Sequence, residues 1–332
     1  MATISDVAKR AGVAVSTVSY SLSGARPISA ATRARIARAM EELDYTPNAL
    51  ARGLKERRSR ILAFLLPTDR NAIDLFTMEI LVGAAERARG AGYHLLLWTE
   101  PGADSVEVRD LAREGLVDGA LIMSVLMDDA RIDDLHAGGM SFVTIGRTQD
   151  PGTRPFVDTD DVQTAELAIA CLADRGHESI VFVAPPASEF ELGVGIVMRL
   201  DENLHAAADR AGLDLVTTRC EWSPAAGADL ARRALDDDPE LTAMIVLNSP
   251  AIAGVLSGII DSGRAVPEDV SVVELLPTTH TPFPVTSISP QPADLGAESV
   301  AMMIDILEGH PTATQRLIPS NLTERGSVSR RG

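Results

Sequence analysis

From Arg60 onward the chain alternates short, β-rich apolar runs with amphipathic helical stretches, and this alternation constrains the fold more than any other feature. ILAFLL (61–66), YHLLLW (93–98), GALIM (119–123) and FVTIG (142–146) form one series; IVFVA (180–184), LDLVT (213–217), AMIVL (243–247) and VSVVEL (270–275) form a second. Nearly continuous apolar strands separated by helices predict parallel sheets covered on both faces and joined by right-handed crossovers. Eight strands in two series predict two doubly wound lobes. Such sheets take ligands beyond the carboxyl ends of their strands, so two facing lobes make a cleft. Asp69, Arg70, Arg147, the stretch 187–199 and Asn248 are placed to line it.

The first sixty residues have a different texture. They hold eleven Lys and Arg against five Asp and Glu, a net +6, so the rest of the chain carries −23 of the overall −17. A basic module on an acidic body predicts a polyanionic partner for the module alone. Loop signals at Gly12, Gly24-Ala25-Arg26-Pro27 and Thr46-Pro47 divide the module into three short helices, roughly Ile4 to Arg10, Val15 to Leu22 and Ala30 to Leu43. Thr3 and Asp6 have the spacing of a capping box for the first. Val7 and Ala8 are expected to pack against Val18 and Leu22, leaving Val15, Ser16, Ser19 and Tyr20 outward. That is a helix-turn-helix whose second helix enters a major groove. A helical oligomerisation cap would share the pattern. The segment 48–58 reads as a weak, basic helix interrupted by Gly53, a hinge.

With 45% hydrophobic residues the chain has ample apolar mass for a core. No apolar run approaches the ~18 residues of a membrane helix, and the start lacks a secretory hydrophobic stretch, so a cytoplasmic protein without a membrane partner is expected. Cys171 and Cys220 have no metal-type spacing, and the six histidines are scattered, so no metal or cofactor site is expected. GxxxxGK[ST], HExxH and GxSxG are missing, and no catalytic set emerges. Gly193-Val194-Gly195 begins like a dinucleotide loop but lacks the third glycine, which leaves a nucleotide-binding α/β enzyme as a remote alternative.

The head ISDVAKRAGVAVSTVSYSLSG, followed by RPISAATRARIARAMEELDYTPNALARGL, closely resembles the lac and galactose repressor family of bacterial transcription regulators. LVDGALIM, SFVTIGR, VDTDD, Gly176-His177, EDVSVVE and TSISPQPADLGAESVAMMIDIL continue the resemblance in the family's order. It implies an all-α helix-turn-helix headpiece (1–46), a hinge helix and linker (47–59), and an α/β periplasmic-binding-protein-like body (60–332) of two doubly wound parallel-sheet lobes. Lobe one would take about 60–158 and 289–319, and lobe two about 159–288 and 320–330. The implied protein is a homodimeric repressor on a near-palindromic double-stranded operator, controlled by a small-molecule effector, sugar or sugar-derived.

Residue by residue, the resemblance implies that Val15, Ser16 and Tyr20 touch base edges, while Thr3, Ser5, Thr17, Ser19, Ser23, Ser29 and Thr32 touch phosphate. Ala51 and Leu54 fall in the hinge helix, where the family's leucine wedges between base steps. Phe76, Arg147, Arg199, Trp222 and Asn248 match effector-cleft positions. There are departures. Tyr20 stands where many relatives have arginine, and Ala14 replaces a capping serine, a loss of about 1 kcal/mol. Glu274-Leu275-Leu276 stands where relatives have Gly-x-Asp, removing a carboxylate that chelates sugar hydroxyls. Arg199 is then expected to lack an acidic counterpart, which favours either an anionic metabolite or altered selectivity; control by a partner protein is a further alternative.

Overall fold

The computed structural model describes residues 2–23, 26–45, 58–66, 75–99, 105–279, 282–310 and 313–331, and the chain divides into two compact units, Met1–Ser59 and Arg60–Gly332. The hinge residues 46–57, with Ala51 and Leu54, lie outside the described residues, as do Asp69 and Arg70.

The first unit contains α1 (Ile4–Ala11), α2 (Val15–Ser23) and α3 (Ala30–Glu42). Thr3 and Asp6 form the reciprocal capping box: the Thr3 hydroxyl accepts from the Asp6 amide at 3.3 Å, and the Asp6 carboxylate accepts from the Thr3 amide at 2.9 Å. Gly12 ends α1 in the left-handed region (φ 67°), which a β-carbon disfavours, and so turns the chain into α2. Val7, Ala8, Ala11, Val18, Ile36 and Ala39 are buried together as a small core.

The second unit holds twelve strands among the described residues, four more than the apolar runs predict. In chain order they run β1 (Ile61–Leu65), α4 (Leu75–Gly90), β2 (His94–Trp98), α5 (Ser105–Arg113), β3 (Gly119–Ile122), α6 (Ala130–Ala137), β4 (Phe142–Ile145) and β5 (Phe156–Thr159). There follow α7 (Asp161–Ala173), β6 (Ser179–Ala184), α8 (Ala187–Leu192), α9 (Gly195–Ala211), β7 (Asp214–Arg219), α10 (Pro224–Asp237), β8 (Ala243–Val246), α11 (Ile252–Asp261), β9 (Ser271–Leu275), β10 (Thr286–Ser289), α12 (Pro292–Glu308), β11 (Gln315–Ile318) and β12 (Asn321–Thr323). One sheet has the order β11-β5-β4-β3-β1-β2, the other β12-β10-β9-β8-β6-β7. The first is parallel throughout; in the second β12 runs antiparallel to β10, so that lobe departs from a purely parallel expectation.

Strand alternation explains the layering. Leu62, Phe64 and Leu121 face α4 and α12, whereas Ala63, Leu65, Ala120 and Ile122 face α5 and α6. In the second sheet Ile180, Phe182 and Ile245 meet α7 and α9, and Val181, Val183 and Met244 meet α10 and α11. Buried His177 joins β-sheet and tail: its Nε2–H donates to the Ser329 carbonyl at 3.1 Å, leaving Nδ1 to accept from Thr242 at 3.0 Å. It is a structural tie, and burial holds its pKa below the ordinary value.

Helix pairs in each lobe meet backbone to backbone. A β-carbon on Gly296 of α12 would stand 2.0 Å from the Ile80 carbonyl of α4, and one on Gly254 of α11 would stand 1.7 Å from the Pro224 carbonyl of α10. Gly296→Ala should therefore destabilise the body by about 1–3 kcal/mol through overpacking, reversing the ~1 kcal/mol gain of alanine in an open helix. Urea denaturation measures the sign.

Candidate functional site

A cavity of about 220 Å³ lies between the two sheets. From the first lobe it is lined by Met123, Ser124 and Val125 just beyond β3, Ile145 and Gly146 at the end of β4, Asp158 and Thr159 at the end of β5, Phe76, Thr77 and Ile80 of α4, and Leu295 of α12. The second lobe contributes Pro185, Glu189, Val194, Ile196, Val197, Trp222, Leu247, Ser249, Pro250 and Leu276. Most of these follow the carboxyl ends of strands, where open sheets bind ligands.

Backbone contacts join the lobes beside the cavity. The Gly195 amide donates to the Val125 carbonyl at 2.9 Å and the Met127 amide to the Gly193 carbonyl at 2.7 Å. Gly195 permits this approach, since a β-carbon there would sit 3.0 Å from both the Val125 and Arg147 carbonyls. Elsewhere the Thr279 hydroxyl and amide donate to the Glu79 carboxylate, at 2.6 Å and 3.0 Å. The loop after β3 is pinned by Arg131, which donates to the Ser124 carbonyl at 3.0 Å and to Asp129 at 2.6 Å.

Of the five expected cleft residues, Phe76 and Trp222 line the cavity, whereas Arg147, Arg199 and Asn248 do not. Asn248 is fully buried, donates to the Cys220 carbonyl at 2.7 Å and accepts from the Ala251 amide at 3.2 Å. It caps the short 3-10 turn Ser249–Ala251, with its amide group spent on the Cys220 and Glu221 carbonyls.

The expectation for Arg199 is overturned. Its Nη2 donates to Asp158 at 2.6 Å, its Nε to Asp161 at 3.0 Å and its Nη1 to the Arg147 carbonyl at 2.7 Å. Arg147 donates to the same two carboxylates, at 2.7 Å to Asp158 and 2.5 Å to Asp161. The acidic counterpart missing at 276 is thus supplied from the VDTDD stretch, which forms a closed quartet across the crossing from β5 to α7. Burial pushes the Asp158 carboxyl up from its ordinary value against the pull of Arg199 and Arg147. Burial also works against the Arg147 charge, but Asp158 and Asp161 outweigh it and hold the guanidinium above its usual value. The charges of both arginines are matched by the two carboxylates. Arg199→Ala should strand part of this buried negative charge and cost about 3–5 kcal/mol of body stability, measurable by chemical denaturation; a loss below 1 kcal/mol would show that the quartet is solvated.

From the sequence, Glu274 and Glu202 could replace the missing carboxylate, but a glutamate in an apolar strand carries no spacing signal that places it in the cleft. Glu274 is 1% exposed, accepts from Ser249 of the cavity wall at 3.0 Å, and its Oε2 has no hydrogen-bond partner among the described residues. Burial raises its pKa to about 7, with the Ser249 hydrogen bond and Arg325 pulling the other way. The folded-state value lies above the ordinary carboxylate value, so the stability contributed by the protonated form is complete below about pH 4.5 and is lost as pH rises through 7. The loss is on the order of 3 kcal/mol. Glu274→Gln should leave stability near pH 4.5 almost unchanged and raise it by about 1–3 kcal/mol at pH 8; equal effects at both pH values would contradict the assignment.

In the headpiece, Val15 and Ser16 are exposed, while Thr17, Ser19 and Tyr20 are half-buried. The Arg26 guanidinium lies 5.1 Å above the Tyr20 ring, placing a cation beside the residue that replaces an arginine. Thr3 and Ser29 are N-caps, and the Ser29 and Thr32 hydroxyls lie 2.9 Å apart, so these three mark the amino termini of α1 and α3, where backbone amides attract phosphate. Ser5 is exposed; nothing is described of the Ser23 side chain.

Residues 3–48 match the bacterial regulatory proteins, lacI family, and residues 169–328 match a periplasmic binding protein-like domain. The HTH-type transcriptional regulator CelR of Thermobifida fusca is 30% identical over 325 residues, 95% of either chain. The HTH-type transcriptional regulator AscG of Escherichia coli strain K12 is 28% identical over 339 residues, 99% of this chain and 98% of its own. Among solved structures, a CelR–cellobiose complex aligns with a TM-score of 0.70 at 26% identity, covering 98% of this chain and 100% of that one. A lac repressor dimer bound to operator and an anti-inducer has a TM-score of 0.82 at 24% identity over 99% of both chains, a likeness of fold. A helix-turn-helix head, a two-sheet α/β body and a regulator 30% identical along nearly the whole length show that the chain belongs to the lacI family of bacterial regulatory proteins, DNA-binding regulators of transcription rather than enzymes.

Proposed function

We propose that the chain is a homodimeric, operator-specific repressor of the bacterial cytoplasm whose DNA affinity is set by a small molecule held between the lobes. The observation that carries this reading is the head: a basic segment with a small helical core and a second helix that leaves Val15, Ser16 and the Tyr20–Arg26 pair accessible. The domain division follows the same reading, with headpiece 1–46, hinge 47–59 and body 60–332 as two lobes.

A two-fold dimer would present two recognition helices to a near-palindromic site. The apolar stripe Leu75, Met78 and Val82 on α4, with Leu96 and Leu97 of edge strand β2, supports self-association, since all five are exposed. The complex of CelR with cellobiose supports a small-molecule effector for a chain of this fold. Such a ligand moves the repressor between states only by the difference in its affinity for them, and a coupling of about 1–3 kcal/mol changes operator occupancy roughly 5- to 150-fold.

Operator selection from a randomised duplex library, followed by binding titrations, tests the proposal. Affinity for the selected site should fall steeply with salt. Leu54→Ala should weaken the selected site at least tenfold and random duplex much less. No preference for any duplex, or equal losses on both, would reject it.

A further inference from the structure

We infer that the ligand of the cleft is a neutral, largely apolar molecule of one or two rings rather than a free sugar or an anion; this deepens the reading of the cleft as an effector site and rests on it. The walls are mainly apolar on both sides, with Phe76, Ile80 and Met123 from one lobe facing a cavity shared with Val197, Trp222 and Leu276 from the other, and hydroxyls of Thr77, Ser124, Thr159 and Ser249 between them. A volume of about 220 Å³ suits such a molecule, since cavities of comparable size lined by apolar side chains take up aromatic rings.

The polar groups set the class. Asp158 is the buried carboxylate of the wall, and three of its four acceptor positions are taken: Oδ2 accepts from Arg147 and Arg199, and Oδ1 from the Thr159 amide at 2.8 Å. It cannot also chelate a pair of adjacent sugar hydroxyls without giving up an arginine. The Ser249 hydroxyl donates to Glu274, leaving only acceptor capacity toward the cavity. Among the described residues the charged side chains of the wall are Asp158 and Glu189, and no cation lines it. A sugar would bring a ring of hydroxyls against a wall whose aliphatic Leu276 stands where a chelating carboxylate is missing.

Backbone geometry points the same way. Leu276 lies in the left-handed region at φ 51°, which an aspartate, asparagine or glycine adopts more readily than a branched aliphatic residue. Ser124, opposite it in the first lobe, has φ 54°. Strain of this kind persists where the surroundings over-determine the conformation, and it clusters at ligand clamps. At 276 it places an aliphatic side chain in the wall.

Calorimetric titration of the full chain with neutral aromatics (indole, 2-naphthol and 2-phenylethanol), with ribose and cellobiose, and with phenylacetate tests the inference. At least one neutral aromatic should bind tenfold or more tighter than either sugar and than phenylacetate. Leu276→Asp, which suits the left-handed backbone, should reduce that binding at least tenfold, and Trp222→Ala should reduce it independently. Tighter binding of a sugar or of phenylacetate would overturn the ligand class while leaving the cleft as a binding site. If no probe binds, both the ligand class and the cleft reading fail. Aromatic binding that leaves operator affinity unchanged would uphold the class and overturn the effector role.

Discussion

The body depends on a buried knot of two carboxylates and two guanidinium groups at the point where the chain first leaves one lobe for the other. Arg147 and Asp158 belong to the first lobe, Asp161 and Arg199 to the second, and each arginine donates to both aspartates. Charges this far from water are costly unless every one is matched. Their geometry is correspondingly specific, because a guanidinium satisfies a carboxylate only when coplanar donors meet its oxygens. The knot therefore fixes how β5 hands over to α7, and with it the edge of the cavity.

How far the sequence foretold this differs from element to element. The headpiece helices were legible to within a residue or so at their ends because capping residues and Gly12 mark the boundaries chemically, and helix caps act locally. The central strands were legible from their continuous apolar runs. β5, β10, β11 and β12 were not: FVDT, TSIS, QRLI and NLT are short and carry polar residues, β11 and β12 because they are exposed edges, and β5 and β10 because their buried polar groups are matched by distant partners such as Arg147 for Asp158 and Ser327 for the Thr286 amide. Asn248 and Arg199 show the limit for the site. An asparagine after a strand is equally suited to cap a turn or hold a hydroxyl, and only the positions of the Cys220 carbonyl and Ala251 amide decide between them. The partners of Arg199 are 38 and 41 residues away, a separation that periodicity cannot read.

The division of charge along the chain and the character of the cavity belong to one design. A body at −23 repels a polyanion, so affinity for DNA has to come from the short basic head. A neutral, apolar effector acts on such a protein without adding to its charge. Its binding free energy comes from removing wall surface from water on both lobes at once, and that term exists only while the lobes are held together. On the proposed reading, the energy that retains the ligand is also the energy that favours one lobe arrangement over others, while the quartet and the Glu79–Thr279 contact join the lobes with or without it.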